Sequence, residues 1–128
     1  MIRAERLSFA GLGAGDVDPE VRWFDRCDFA GADLRHATFD GCHFRLCSFV
    51  KANLVAASFR GATFAGCHFT DANLSFADLT ATTFTYVNTG TDQGRTVLEG
   101  VRVEGAKLSG VTTERVVGLP LAFGMPRP

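Results

Sequence analysis

Tyrosine and tryptophan occur once each in these 128 residues, methionine twice and proline four times, yet phenylalanine occurs twelve times. Tyr and Trp bring a polar group that a buried site must satisfy, so so one-sided a use of rings selects a purely apolar ring. Net charge is also missing. Thirteen basic residues face fourteen acidic ones, for a formal charge of −1. This balance excludes a general attraction to nucleic acid or anionic membrane, and the acidic bias that keeps chains disordered. No run approaches the roughly 18 apolar residues of a membrane-spanning helix. The first fifteen residues carry Arg3, Glu5 and Arg6 and then a glycine-rich stretch, without a signal-peptide core. The expectation is one soluble, cytoplasmic domain. Its four cysteines, Cys27, Cys42, Cys47 and Cys67, are then reduced thiols and no disulfide framework.

What the sequence does contain is a period of five. From Phe24 through Phe29, Leu34, Phe39, Phe44 and onward to Phe84, thirteen large apolar residues follow one another at five-residue intervals. The position two before each is Ala or Cys in eleven of the thirteen cases, Arg22 and Thr82 being the other two. Neither regular structure buries such a column: five residues advance an α-helix by about 140° per step, and an odd period flips the face of a flat strand. A short extended piece followed by a turn does bury it, with the small and the large residue pointing the same way. Each pentapeptide is then one side of a polygon.

A second period gives the number of sides. Cys27, Cys47 and Cys67 are twenty apart, as are Leu34, Leu54 and Leu74. Twenty residues are four pentapeptides, so like residues stack over like in a four-sided coil, at about 4.8 Å per level. The fold class is all-β.

The segments "ADLRH", "ANLVA", "ANLSF" and "ADLTA" resemble the A(D/N)LXX signature of pentapeptide repeat proteins, and the pattern covers Arg22 to Tyr86 without a gap. The resemblance implies a right-handed quadrilateral β-helix, here of about four to five coils and just over 20 Å long at the strand spacing.

After Phe84 the pattern breaks through "VNTGTDQGR" and resumes one phase earlier, with Leu98, Val103 and Leu108 as large positions and Val101, Ala106 and Val111 as small ones. This phase change predicts an insertion of about four residues at a corner. The segment Thr89, Gly90, Thr91, Asp92, Gln93, Gly94 and Arg95 is expected to protrude as a loop. Residues 1–21, with Leu7, Leu12 and Val17 in the small-residue phase and Phe9 in the large one, read as an N-terminal cap or degenerate first coil. The β-helix is assigned to 22–115 and a capping tail to 116–128, where prolines 120, 126 and 128 prevent further coils. Leu119, Leu121, Phe123 and Met125 in that tail are candidates for a cap or for a homodimer interface, since several members of the family pair through their C-terminal ends.

Chemistry is hard to find in this pattern. The two "GCHF" segments place Cys42 beside His43 and Cys67 beside His68, but each cysteine points inward and each histidine outward, so no shared metal site is expected. The histidines fall on different faces, and flat faces around a packed interior offer no catalytic pocket. Gly31, Gly41, Gly61 and Gly66 sit two after the large position, where a corner wants a small residue. No enzyme, cofactor or metal is expected. The apolar residues at outward positions, Leu46, Val50, Val55, Phe76 and Tyr86, form a candidate interaction patch. The expected function is a rigid protein-interaction module with an unidentified protein partner and no direct nucleic-acid or membrane binding. The resemblance also implies an alternative, a DNA-mimicking protector of gyrase or another topoisomerase, and a third reading is an accessory protein of a biosynthetic cluster. Six basic residues against six acidic ones between Val21 and Tyr86 weaken the mimic.

Overall fold

The structure, a computed structural model, describes residues 2–91 and 94–120. Each pentapeptide holds one inward large residue between two outward neighbours, so the extended pieces are only two or three residues long. Six of them are strands: β1 (Arg3–Glu5), β2 (Trp23–Asp25), β3 (His43–Arg45), β4 (Thr63–Ala65), β5 (Thr83–Thr85) and β6 (Thr112–Thr113). They form one parallel sheet in chain order, with Phe24, Phe44, Phe64 and Phe84 in register. We call this side face one. Single parallel bridges tie the other three faces level to level: Asp28 to Ser48 to His68 on face two, Asp33 to Asn53 to Asn73 on face three, and Thr38 to Ser58 to Asp78 on face four. The molecule is the four-sided β-helix that the two periods predict.

The rings stack at the strand spacing. Phe24 to Phe44 and Phe44 to Phe64 are 4.9 Å between centroids, and Phe29 to Phe49 and Phe49 to Phe69 are also 4.9 Å. Neighbouring columns meet edge to face, as Phe24 meets Phe29 at 69°. Both geometries suit the ring quadrupole. Leu34, Leu54 and Leu74 fill the third column, fully buried.

The corners are set by backbone conformation, and here the structure corrects the reason given for the glycines. From Phe24 to Leu79 the residue two after each large one adopts a left-handed conformation, φ 66° at Gly31 but also 54° at Arg26, 55° at Leu46 and 60° at Phe76. Size is not the constraint. The left-handed turn is, and it costs a non-glycine residue about 1–2 kcal/mol.

The insertion is nine residues, not four. His68 bridges Val97, Asn73 bridges Arg102 and Asp78 bridges Lys107, each pair 29 apart where 20 is the rule. A five-residue phase counts only modulo five, so four and nine extra residues leave the same trace in the sequence. The larger one builds a small hairpin, with an antiparallel bridge from Tyr86 to Arg95 and the Val87 amide donating to the Gly94 carbonyl at 2.7 Å.

The inward cysteines do more than fill space. At most corners the carbonyl of the large residue accepts the amide three residues on, as Phe29 does from Ala32. After face one a thiol serves the carbonyl of the level before: Cys27 donates to Ala4, Cys47 to Phe24 and Cys67 to Phe44, at 3.2–3.4 Å. Thr96 continues the column, donating to the Thr85 carbonyl at 2.7 Å and accepting the Cys67 amide at 3.1 Å. Those three carbonyls also belong to the face-one ladder, so each thiol adds a second bond to its acceptor, whereas a small hydrophobe in place of Thr96 would cost the Cys67 amide this partner.

At the first level, Phe9 stacks on Phe29 at 5.0 Å, while Leu7 and Leu12 remain 50% and 44% exposed. The 3-10 turn Ala14–Asp16 closes that end on one side, where Gly13 donates its amide to the Asp16 carboxylate. At the other end Val117 pairs with the Thr96–Leu98 segment, and Leu119 packs against the core. Leu121, Phe123 and Met125 lie outside the described residues.

Candidate interaction surface

Face one differs from the other three because of its outward side chains. Trp23 and His43 stand one level apart on the first outward position, and their rings stack at 4.8 Å and 17°. The Arg3 guanidinium covers the Trp23 ring 4.9 Å from its centroid. The single tyrosine, at the base of the hairpin beside the same face, is covered in the same way by Arg115 at 4.7 Å. Such cation–π contacts hold the rings in place at the surface. Arg95 ties the hairpin down by donating to the Arg115 carbonyl at 2.7 Å.

Below His43 and Arg45 the outward side chains shrink abruptly to Thr63 and Ala65. This step makes a hollow of about 360 Å³, walled by Trp23, His43 and Arg45 on one side and by Tyr86 and Val87 of the hairpin on the other. The hairpin sits close because Gly66 lies under it. A Cβ there would stand 2.8 Å from Leu46 Cδ2, 3.0 Å from the Gly94 carbonyl oxygen and 3.3 Å from Val87 Cγ2.

The apolar outward residues singled out in the sequence are distributed over several corners. Leu46 and Tyr86 belong to the corner between faces one and two, and Leu46 lies over Gly66 beside Val87. Val50 precedes the next corner, at Lys51, and Val55 the one after, at Ala56. Phe76 occupies that third corner one level down, 66% exposed, with its ring over Gly105. Thr89, Gly90 and Thr91 form the exposed tip of the hairpin, while Gly94 and Arg95 belong to its returning arm; Asp92 and Gln93 lie outside the described residues. Trp23 was not among the expected site residues. Its signal was available: it directly precedes Phe24, hence faces outward, and His43 follows it by one full coil of twenty.

Charge is sorted by face. Among the described residues, face one and the corner that closes it hold Arg3, Arg6, Arg26, Arg45, Arg95 and Arg115 against Glu5, Asp25 and Glu114. The other faces hold six basic residues against ten acidic ones. Arg26 and Arg45 share the Asp25 carboxylate, each at 3.0 Å, so one anion serves two cations. On face three the Arg35 guanidinium on Asp33 lowers that carboxyl from its ordinary value.

The thiols are no site. All four cysteines are free and buried. Cys27 is pushed far up by its Cys47 neighbour and by burial, and Cys42 is raised by burial. A thiol-specific disulfide reagent is therefore expected to label none of the four in the native protein and all of them after unfolding. Fast labelling of any one in native buffer would contradict this packing. Cys42 points into the core while His43 stacks on Trp23 outside, so the two are directed away from each other.

The sequence profile of the pentapeptide repeat region matches residues 22–92, more than half of the chain. The chain belongs to the pentapeptide repeat family. This pentapeptide repeat protein is accordingly a right-handed β-helix without catalytic function. It is similar in fold to Rfr23 from the cyanobacterium Cyanothece 51142, at 19% identity over 92% of this chain and 85% of the other, with a TM-score of 0.38. It is also similar to QnrB1, a plasmid-mediated fluoroquinolone resistance protein, at 16% identity over 90% and 66% of the two chains, with a TM-score of 0.49. HetL from Nostoc, involved in regulating heterocyst differentiation, matches at 20% identity over 86% of this chain and 46% of its own, with a TM-score of 0.38. At these identities the likeness is one of fold. No curated protein matches the sequence. No helix among the described residues is long and apolar enough to cross a membrane.

Proposed function

We propose that this pentapeptide repeat protein is a rigid, non-catalytic protein-interaction module that binds its partner on face one. One observation carries this reading: the only tryptophan and the only tyrosine of the chain both stand outward beside one hollow, each held under an arginine. Aromatic and arginine side chains are the residues that dominate protein interfaces. A packed solenoid holds them in place before binding, which lowers the entropy cost of association.

The DNA-mimic alternative draws no support from the charge pattern. Among the described residues no outward column stacks three carboxylates, and face one is basic. Roles as an accessory protein or as a C-terminal homodimer are compatible with the module but have no observation of their own.

The test compares three immobilised proteins for partner capture: wild type, Trp23→Ala, and Arg60→Ala on face four. Trp23→Ala is expected to lose the specifically captured protein and Arg60→Ala to retain it. Equal capture by all three would remove face one as the binding surface. Purified gyrase belongs in the same comparison, because inhibition of its supercoiling by wild type would restore the mimic.

A further inference from the structure

We infer that the partner offers face one an acidic segment carrying one bulky apolar side chain, which enters the hollow between His43 and the hairpin. The inference rests on the module reading above and names the chemistry of its ligand. Two independent features of the face converge on it.

The first is shape. The hollow is a step in the outward columns, with Thr63 and Ala65 as its floor and Trp23, His43, Tyr86 and Val87 around it. Its volume of about 360 Å³ suits a single aromatic or branched aliphatic side chain with part of its backbone. Its walls are mostly rings, which favour another ring at an edge or an offset face. A buried anchor surrounded by a polar rim is how such sites concentrate affinity.

The second is charge. Six arginines stand on this face and its corner against three carboxylates, although the whole chain carries a net charge of −1. Arg26 and Arg45 each give one N–H to Asp25. A guanidinium has five N–H groups in a fork that matches a carboxylate. A segment with acidic residues on both sides of its apolar anchor would meet Arg45 and Arg26 above the hollow and Arg95 and Arg115 below it.

A nucleic acid would also answer to arginine, but the rings argue against it. One side of Trp23 is covered by Arg3 and the other by His43, so the indole offers no open face for a base to stack on. The rings here are walls and not a platform.

The experiment titrates the full chain with fluorescent peptides and follows anisotropy together with the emission of Trp23, the single tryptophan. The probes are an Asp/Glu-rich peptide with a central Phe, the same peptide with Ala for Phe, a Lys-rich peptide with the Phe, and a single-stranded oligonucleotide. The acidic Phe peptide is expected to bind and shift the Trp23 emission. Affinity should fall about tenfold or more without the Phe, and again with added salt. Ala65→Glu, at an outward position that leaves the core untouched, should abolish binding with an unchanged circular dichroism spectrum. Tighter binding of the Lys-rich peptide or the oligonucleotide, or equal binding to Ala65→Glu, would overturn the inference. No binding of the acidic peptide by a protein whose partner capture still depends on Trp23 would overturn it too, and leave the module reading standing.

Discussion

Phe44→Ala is expected to lower the unfolding free energy by about 3–5 kcal/mol. Phe44 is 1% exposed, stacked 4.9 Å from both Phe24 and Phe64, and it meets Phe29, Phe39, Phe49 and Phe59 edge to face. The six rings around the gap are held at the spacing of their strands, so they cannot close it without breaking the ladder. Because each level of a solenoid contacts only its neighbours, the loss falls in the centre of the array and couples both halves. The same change at Phe76, 66% exposed on a corner, should alter stability by less than about 0.5 kcal/mol. Urea unfolding followed by Trp23 fluorescence measures both. A cost below about 1 kcal/mol for Phe44→Ala would contradict the stacked core.

Gly66→Val should detach the hairpin. Gly66 has φ 68°, where a β-branched residue is strained, and its missing side chain is the space in which Leu46, Val87 and the Gly94 carbonyl meet. The backbone strain alone is worth about 1–2 kcal/mol. The Leu46 side chain can turn aside, but the crowding against the Gly94 carbonyl and Val87 is relieved by moving the hairpin. Hydrogen exchange reads the result. The Val87 amide, bonded to Gly94 at 2.7 Å, should lose most of its protection, while the Phe69 amide, bonded to Val97 in the coil, keeps its own. Unchanged protection at Val87 would mean that the hairpin is not seated on Gly66. Because Tyr86 and Val87 wall the hollow, this variant should also weaken any ligand held there.

Most of the fold was legible in the sequence because each side of the coil is a local unit. A five-residue repeat with one large and one small inward residue has one solution, and a twenty-residue overtone gives that solution four sides. The same regularity predicts which residues are buried: the large positions from Phe24 to Phe84 all are. Local logic failed where it depended on counting. The phase of Leu98, Val103 and Leu108 cannot tell four inserted residues from nine, and only the pairing of Val97 with His68 decides. It failed again at the corners, where Leu46 and Phe76 occupy left-handed positions first read as sites for small residues.

The surface was legible only in part. Sorting outward residues by the period of twenty would have placed Trp23 above His43 and gathered Arg6 with Arg26. The hollow beneath them needs the hairpin, and Arg95 and Arg115 reach that face only once the nine-residue offset is known. Sequence by itself determined the coil, its four sides and its dry Phe and Leu core, since those follow from interactions within and between successive pentapeptides. Tertiary structure alone decided which residues beyond the insertion join face one, how the hairpin's arginines complete its basic side, and where a cavity opens. Those properties depend on residues 20 to 63 positions apart, as His43 is from Trp23 and Tyr86 from Trp23, brought to one hollow by the stacked coils and the hairpin.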